Sequence, residues 1–498
     1  MRGSLIITFD DVDGFGGDYL DVYVNSVLNK RIYYNSNSLY SCPLYVNDVV
    51  NLQFNDSSPS TNLNFDVNRR DYTTDDEGGD NGIKNTFIKN SFLTGVTFTA
   101  TTLNTSYDFE YRTNYSTGYT CFNIGTGFSP DTTNTNVELS DGTLVIVGQF
   151  TDYNGTSLNR IVGLNQNGTI NSNFNYGTGL NGDGGTSEKL QSDGKIVVGG
   201  RFWEYRGNTS SKIVRINTDG SYDSTYNVGT GFTSGGTYSN QFIEVSAIDI
   251  QSDNKVICAG IFDAYKGVSV PGLCRLNTDA TLDTSFSGFT TGFDGNINDV
   301  KVQSDGKIII VGQFTTFNGI TRNRIVRLNS DGSYDSTFSG ITTGFNSQVW
   351  ECQLQSDGKI IVVGDFTQFN GSGTNATRIV RLNSNGSRDT SFVIGNGFNS
   401  SVRSVAIQNN GGLIVGGLFG EFSGVTANRI IGLNSNGSIN TSFIYGTGMG
   451  TAAGLEVSDI DVLSDNSILV MGEFFEYNGV SANRIIRLSP TGTLLNCP

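Results

Sequence analysis

The chain has 498 residues, a formal net charge of −16, no histidine, and a composition rich in Gly, Asn, Ser and Thr. The lack of histidine excludes Ser-His-Asp catalysis and the usual zinc ligand, and no cluster of Lys and Arg is dense enough to contact nucleic acid. No segment approaches the ~18 apolar residues of a membrane span, and no window shows the apolar spacing of a long helix. The sequence therefore predicts an all-β protein.

The first 118 residues contain strand-like runs separated by Asn, Gly, Ser and Asp, among them SLIITF, YLDVYV, VVNLQF and YDFEYR. Their spacing predicts a small β-sandwich of jelly-roll or immunoglobulin-like type, which we interpret as an attachment domain. The acidic stretch FDDVDGFGGD offers Asp10, Asp11, Asp13 and Asp18 as oxygen ligands for Ca²⁺. It does not match an EF-hand loop, and an ordinary acidic turn is the alternative. No other cofactor is expected.

Residues 119–498 are built from a repeat whose clearest copy is DVKVQSDGKIIIVGQFTTFNGITRNRIVRLNSDGSYDSTFSGITTGF, at 299–345. Seven copies align on the turn residues Asp141, Asp193, Asp253, Asp305, Asp357, Asn410 and Asp465. Each copy predicts four short strands: an alternating strand, a tight Asp-Gly turn, a continuous apolar strand, a third strand, and a fourth that carries the phrase FxxGTGF. Four-stranded units at this spacing are typical of propeller blades. We therefore predict a closed seven-bladed β-propeller rather than a solenoid.

The seventh copy ends before the FxxGTGF phrase, whereas an isolated copy of that phrase, CFNIGTGF, precedes the first repeat at 121–128. We predict that residues 122–128 supply the outer strand of the last blade and so close the ring. The residues assigned to this closure are Cys121, Phe122, Gly125, Gly127, Phe128 and Cys497. The two cysteines fall in one repeat column, which predicts a disulfide or a close thiol pair; two unrelated small residues are the alternative in a reducing cytoplasm. The other four cysteines are interpreted as buried apolar side chains.

The phrases LQSDGKIIVVGxF, NRIVRLNxDGSxDxSF and FNxGTGF resemble the delta-60 repeat family, over about three quarters of the chain. This resemblance implies a β-propeller and says little about activity. It is associated with large bacterial surface proteins and with some phage virion proteins.

Two kinds of repeated column are candidate sites. A basic column precedes the third strand, at Arg160, Lys212, Arg324, Arg378, Arg429 and Arg484. A column of Asn and Asp follows that strand, for example Asn217, Asp219 and Asp223. We interpret the first as structural contacts to carbonyl or carboxylate groups, with a ligand-binding ring as the alternative. We interpret the second as side-chain-capped turns rather than metal ligands, because other copies replace Asp with Asn.

Binding residues are expected where the copies differ, because repeated residues build the scaffold. The singular residues are Trp203, Tyr205 and Arg206 in the second copy, Tyr238 in an insertion of the third, and Trp350 in the fifth. Their aromatic rings are candidates to stack on sugars. Asp249, Asp299, Glu351, Asp459 and Asp461 lie on or near first strands, where a hydrolase would need paired carboxylates, but no two stand out.

These features predict a non-enzymatic structural or display protein of a bacteriophage virion, such as a tail, spike or collar component that contacts host surface glycans. The N-terminal residues contain no apolar run long enough for a signal peptide, and virion proteins need none because they leave the cell by lysis. Expected partners are other virion proteins and copies of the same chain, with no nucleic acid and no membrane span. The alternative is a bacterial surface adhesin or extracellular carbohydrate-binding protein.

Overall fold

The computed structural model describes the backbone of eight strands between Arg2 and Thr101, and describes residues 122–234, 242–371, 376–450, 452 and 454–495 with their side chains. The chain divides into two compact units, Met1–Tyr119 and Thr120–Pro498. The regular elements of the described residues are strands, which confirms the all-β class. No helix in these parts of the chain is long and apolar enough to cross a membrane.

The N-terminal strands form two four-stranded antiparallel sheets. In chain order the strands are Arg2–Val12, Tyr19–Val24, Val27–Tyr33, Tyr40–Tyr45, Val49–Asn55, Thr61–Arg70, Ile83–Ile88 and Thr97–Thr101. One sheet has the order fourth, first, sixth, seventh, and the other has the order third, second, fifth, eighth. The first two strands thus belong to different sheets, and the chain passes between the sheets repeatedly.

The second unit contains seven antiparallel three-stranded blades, numbered 1 to 7 in chain order. The first strands are Thr133–Glu138, Gly185–Leu190, Glu244–Ile250, Ile297–Val302, Val349–Leu354, Val402–Ile407 and Glu456–Val462. The middle strands are Leu144–Gly148, Ile196–Gly200, Val256–Ile261, Ile308–Gly312, Ile360–Gly364, Leu413–Gly417 and Ile468–Glu473. The third strands are Ile161–Leu164, Ile213–Ile216, Leu273–Leu276, Ile325–Leu328, Ile379–Leu382, Ile430–Leu433 and Ile485–Leu488.

Each first strand lies beside the first strands of the two neighbouring blades, and that of blade 7 lies beside that of blade 1. The seven first strands therefore line the centre of a closed ring, as predicted. Along Ile297–Val302 and Val349–Leu354, each buried residue is followed by two partly exposed ones, because a register shift near the start of the strand breaks the predicted alternation. The middle and third strands are buried almost throughout, as in Ile308–Gly312 and Ile325–Leu328, which matches the continuous apolar run predicted for the middle strand.

The turn between the first and middle strands differs from the predicted Asp-Gly pair with two positive φ angles. Only the glycine has a positive φ, for example +85° at Gly194, and Asn254 takes the same conformation at +62° in blade 3. The Asp193 carboxylate instead accepts a hydrogen bond from the Lys195 amide, at 3.2 Å. The Asp side chain therefore caps the turn, and the positive φ of the following residue reverses the direction of the chain.

The predicted fourth strand is reduced to isolated bridges in most copies, and it forms a two-residue strand at Phe128–Ser129 and at Phe232–Thr233. After each third strand the chain makes one β-bridge back to its own blade, such as Leu328↔Tyr334, and then crosses to the next blade, where Phe345 bridges Phe369. The crossing reaches a short hairpin that follows the middle strand. These hairpins are Asp152–Tyr153 with Thr156–Ser157, Glu204–Tyr205 with Asn208–Thr209, Ala264–Tyr265 with Val268–Ser269, Thr316–Phe317 with Ile320–Thr321, Glu421–Phe422 with Val425–Thr426, and Glu476–Tyr477 with Val480–Ser481. The phrase FxxGTGF is thus a link between blades.

The N-terminal copy of this phrase links blade 7 to blade 1. The Phe122 amide donates to the Leu495 carbonyl at 2.9 Å, and the Phe128 amide donates to the Asn483 carbonyl at 3.3 Å. Phe128 begins the short strand Phe128–Ser129, which pairs with the blade 1 hairpin, and its ring packs on Tyr153 at 4.5 Å. In other blades the corresponding amides make the same bond, for instance from Phe345 to the Asn323 carbonyl at 3.2 Å. Residues 122–128 therefore close the ring with the geometry of an ordinary link.

Candidate functional site

The basic column makes structural contacts, as interpreted from the sequence. Its residues have positive φ angles, for example +67° at Arg324, which turn their side chains toward the link to the next blade. The Arg324 guanidinium donates to the Phe345 carbonyl at 2.9 Å, and that of Arg484 donates to the Phe128 carbonyl at 2.9 Å. Because these donors are occupied by main-chain acceptors, the column is part of the scaffold rather than a ligand-binding ring.

A second arginine column, on the third strands, was missed in the sequence. In blade 4 the Arg327 guanidinium pairs with Asp335 at 2.7 Å, and the Lys307 ammonium reaches the same carboxylate at 3.0 Å. Arg327 also donates to the Ser384 carbonyl of blade 5 and lies over the Phe338 ring at 4.5 Å. The same arginine–aspartate pair recurs as Arg215–Asp223, Arg275–Asp283 and Arg381–Asp389. Each buried arginine therefore fastens its blade to the next.

Local donors hold the aspartates of these pairs ionised. Burial by itself would raise the pKa of Asp389, but hydrogen bonds from Ser391 and the charge of Arg381 outweigh it and lower the pKa to about 2. Blades 1 and 6 carry Gly163 and Gly432 where the arginine would be, and Asn171 and Asn440 where the aspartate would be. The exchange of Asp for Asn along the repeat thus follows the loss of the arginine, because an unpaired buried carboxylate is costly.

The Asn and Asp columns that follow the third strands form side-chain-capped turns. The Asp331 side chain accepts a hydrogen bond from the Ser333 amide at 2.9 Å, and Asn436 accepts the same bond from Ser438 at 3.1 Å. Asp and Asn are interchangeable here because either side chain supplies the acceptor. In the described part of the chain, no group of three or more Asp, Glu, Cys or His residues is arranged to hold a metal ion.

The channel formed by the first strands is rich in carboxylates, several of which join neighbouring blades. Asp249 accepts the Val302 amide at 2.6 Å, Asp299 accepts the Cys352 amide at 3.0 Å, and Glu351 accepts the Val405 amide at 2.9 Å. In each case the carboxylate and the amide belong to adjacent blades. These acids therefore tie one first strand to the next.

One side of the channel concentrates charge without full pairing. Glu188 is only 1% exposed, and neither of its carboxylate oxygens has a hydrogen-bond partner among the described residues. Burial raises its pKa well above the usual range; Lys189 opposes the rise, and Asp459 and Asp461 add to it. Burial likewise raises the pKa of Glu351 to about 7. Shifts of this kind mark candidate functional groups, although structural networks also produce them.

The hairpin face, meaning the end of the propeller that carries the short hairpins, holds the residues singled out in blade 2. Trp203 is 53% exposed, with the Lys212 ammonium 5.2 Å from its ring. Tyr205, by contrast, is fully buried, and its hydroxyl donates to the Gly220 carbonyl at 2.5 Å. Arg206 donates to the Asn175 carbonyl at 2.9 Å. Tyr205 is therefore corrected to a core residue, Arg206 is engaged by main chain, and Trp203 is available to a ligand.

Phe475 in blade 7 was missed in the sequence and occupies the same repeat position as Trp203. It is 52% exposed, and the Arg484 guanidinium lies 5.1 Å from its ring. Its signal was available, since other copies have Thr, Asp or Gly at this position. Blades 7 and 2 flank blade 1, so two exposed rings, each beside a cation, stand on either side of one blade.

Trp350 belongs to a different arrangement. Its indole nitrogen donates to Asp365 at 3.1 Å, and the Arg403 guanidinium stacks 3.8 Å from its ring. Arg403 in turn pairs with Glu456 at 3.2 Å. Trp350 is thus half-buried within a network of contacts that joins blades 5, 6 and 7. The structure does not bring it together with Trp203.

Several predicted site residues lie outside what the structure describes. Asp10 and Asp11 are in the first N-terminal strand, for which only the backbone is described. Asp13, Asp18, Tyr238, Cys121 and Cys497 are outside the described residues. The calcium site, the insertion residue and the closing cysteine pair therefore stay predictions.

The fold and these contacts define the chain as a seven-bladed β-propeller whose repeated polar residues join its blades. The family model described as a domain of unknown function (DUF5122) β-propeller matches seven segments that together cover half of the chain: 139–174, 191–226, 251–286, 303–338, 355–392, 408–443 and 463–494. The chain belongs to this family. The seven matches coincide with the seven repeats from which the resemblance to delta-60 repeats was drawn. No curated protein matches the sequence significantly.

The chain is also similar to solved structures of low sequence identity. The extracellular domain of BT4673 from B. thetaiotaomicron is 13% identical, with a TM-score of 0.41 over 74% of this chain and 39% of that one. A gluconolactonase, XC5397 from Xanthomonas campestris, is 11% identical, with a TM-score of 0.32 over 59% of this chain and 84% of that one. The chain thus spans well under half of the B. thetaiotaomicron domain.

Proposed function

We propose that the protein is a non-enzymatic display protein of a bacteriophage virion, in a tail, spike or collar, and that the hairpin face of its propeller binds glycans on the host surface. The observation that carries the binding role is the pair of exposed rings, Trp203 and Phe475, at one repeat position of blades 2 and 7. Each ring lies beside a cation at the surface, Trp203 beside Lys212 and Phe475 beside Arg484, so its free face can stack on a ligand. Sugar rings present flat apolar faces that such side chains cover.

This proposal is supported by the different roles of the residues that recur in the repeat and of those that occur in single copies. The repeated arginines and aspartates are occupied by contacts between blades, as with Arg327 and Asp335. Trp203 interrupts a column of smaller residues and makes no such contact through its ring face, which remains half exposed. Residues of this kind are free to specialise because the fold does not depend on them.

The non-enzymatic part of the proposal rests on the roles of the channel acids. Asp249, Asp299 and Glu351 each accept a backbone amide of the adjacent blade. These bonds give the three acids a structural role that joins neighbouring first strands. Hydrolysis of a bound glycan that is abolished by Asp459→Asn, while binding persists, would replace this proposal with a hydrolase.

The virion setting is favoured by a composition rich in Gly, Asn, Ser and Thr, which is typical of extracellular β proteins. A bacterial surface adhesin is the alternative. Gold-labelled antibody against residues 130–490 can distinguish them in electron micrographs of the source culture and its lysate. Label on virus particles supports the virion role, and label on cell envelopes with bare particles contradicts it.

Glycan binding is tested separately with the purified full chain on an array of bacterial surface polysaccharides. Trp203→Ala is expected to reduce binding strongly, since it removes the exposed ring and leaves the buried core intact. Ile320→Ala is the matched control, because Ile320 is 49% exposed on a hairpin of blade 4 and has no aromatic ring. Equal binding by both variants and the wild type would contradict recognition at Trp203.

A further inference from the structure

Two cysteines face each other across adjacent strands of blade 3. Cys258 on the middle strand is the direct register partner of Cys274 on the third strand. Directly opposed residues of an antiparallel pair have Cα atoms about 4.5 or 5.5 Å apart, and both values fall within the roughly 4.4–6.8 Å that disulfides span. Both side chains are buried, and both are free thiols in the structure. The backbone therefore already places the two sulfur atoms within bonding reach.

The same cross-strand position in the other six blades is always a pair of β-branched apolar residues. These pairs are Ile146–Val162, Val198–Val214, Ile310–Val326, Val362–Val380, Val415–Ile431 and Val470–Ile486. Blade 3 changes both members at once, and changes both to cysteine. Cys352, by comparison, is a buried cysteine without a cysteine opposite it, since its register partner is Val362. A simple apolar substitution accounts for Cys352, but not for a matched change of two facing residues in a chain with only six cysteines.

Blade 3 also lacks a contact that holds the third strand elsewhere. The basic column, whose side chains bond the link between blades, is replaced here by Gly272 after Pro271. No guanidinium or ammonium group is therefore available at the start of the third strand of this blade. A covalent tie between Cys258 and Cys274 would restrain the same strand two residues further along.

We propose that Cys258 and Cys274 form a disulfide that fastens the third strand of blade 3 to its middle strand. The thiolate of one cysteine attacks a disulfide oxidant such as oxidised glutathione, forms a mixed disulfide and releases one glutathione thiolate. The second cysteine thiolate then attacks the cysteine sulfur of the mixed disulfide and releases the second glutathione. The two cysteine sulfurs lose two electrons to the oxidant, and their two protons pass to the released thiolates.

The surroundings of the pair determine when the bond forms. Cys258 and Cys274 are 0% and 2% exposed, and burial raises the pKa of the Cys258 thiol. Because the thiolate is the reacting species, the folded blade reacts slowly with an oxidant or a reductant. The bond therefore forms as the blade folds or opens in an oxidising medium, and the closed blade then protects it. This inference does not depend on glycan binding.

The test uses the full chain, refolded in a buffer of reduced and oxidised glutathione, then denatured, alkylated without reductant and digested with trypsin. Trypsin cuts after Lys255, Lys266 and Arg275, so the two cysteines fall in separate peptides, VICAGIFDAYK and GVSVPGLCR. We expect these peptides to be recovered joined, lighter than their sum by two hydrogen atoms. The peptide that contains Cys352 should be fully alkylated and serves as the internal control.

A double variant, Cys258→Val with Cys274→Val, gives a second readout. It restores the residues of blade 2 and should fold, since Val198 and Val214 occupy that position there. We expect the melting temperature of the oxidised wild type to fall on refolding with reductant, and that of the variant to be unaffected by reductant. Separate, fully alkylated peptides from the wild type, peptides linked to other cysteines, or an equal response of both proteins to reductant would overturn the proposal.

Discussion

The buried charged trio of blade 4 permits a direct test of how the blades are held together. Arg327 and Asp335 are 5% and 2% exposed, and Lys307 completes the trio. Arg327→Gly leaves the Asp335 carboxylate buried with only Lys307 as a charged partner. Removing one member of a buried ion pair costs about 3–5 kcal/mol, so we expect the variant to lose that much of its free energy of unfolding.

The chain itself supplies a neutral replacement for this trio. Blade 1 has Thr143, Gly163 and Asn171 at the three positions, and the Asn171 amide donates to the Thr143 hydroxyl at 2.8 Å. The triple variant Lys307→Thr, Arg327→Gly, Asp335→Asn carries this arrangement into blade 4. Its remaining loss is mainly the charged hydrogen bond to the Ser384 carbonyl, about 1.5–3 kcal/mol. The triple variant should therefore be more stable than the single one, despite its additional changes.

Urea denaturation, followed by tryptophan fluorescence and far-UV circular dichroism, measures both effects through the midpoint and slope of the transition. Asp253→Asn is the matched control, because the Asp253 side chain is 57% exposed and lies 3.6 Å from Lys255. An exposed pair of this kind contributes little, so its midpoint should hardly change. If the triple variant is no more stable than Arg327→Gly, the cost of an unpaired buried carboxylate does not explain why blades that lack the arginine carry Asn in place of Asp.

Three further predictions concern ring closure, the channel and the hairpin face. Gly127→Ala should destabilise the propeller more than Gly155→Ala by thermal melting: both glycines have positive φ, but a Cβ at Gly127 would lie 2.4 Å from the Asn483 carbonyl oxygen, whereas nothing lies within 4 Å of one at Gly155. Glu351 has a pKa raised to about 7, so its contribution to stability is present below its unfolded pKa and is lost as the pH rises through 7; Glu351→Gln should flatten the fall in melting temperature between pH 5 and 8, and an unchanged pH profile would contradict the shift. Trp203→Ala should weaken adsorption to host cells with no change in melting temperature, because its ring is half exposed; a large loss of stability would instead indicate a packing role.

The propeller fold could be predicted from the sequence because the same strand pattern recurs in seven copies. Each copy repeats the same alternation, turn and apolar run, and the missing phrase of the last copy matches the isolated one at 122–128. The fourth strand was mispredicted because strand-like composition does not reveal that the phrase crosses to the hairpin of the next blade. That crossing depends on partners such as Phe369 for Phe345, which are supplied by another repeat.

The site was less accessible because its contacts join residues that are distant along the chain. The replacement of Asp by Asn in some copies could be seen in the sequence. Its cause is the presence or absence of an arginine eight residues earlier, which pairs with the Asp, as Arg327 does with Asp335. Tyr205 looked singular beside Trp203, yet the alternation of the hairpin buries one and exposes the other. Phe475 was overlooked because its neighbour on the surface, blade 1, lies at the opposite end of the repeat array.

The sequence by itself determined the number of blades, the first three strands of each blade and the segment that closes the ring, because these depend on local periodicity and on repetition. Only the tertiary structure decided which polar residues join blades and which remain free. Closing seven similar units into a ring sets every first strand against two neighbours. An acid on one first strand therefore accepts an amide 53 residues further along the chain, as Asp249 does from Val302 and Asp299 does from Cys352. Within blade 3, the pairing of the middle and third strands sets Cys258 opposite Cys274, and the fold of the blade 2 hairpin leaves Trp203 exposed; neither the register nor the burial can be read from the sequence alone.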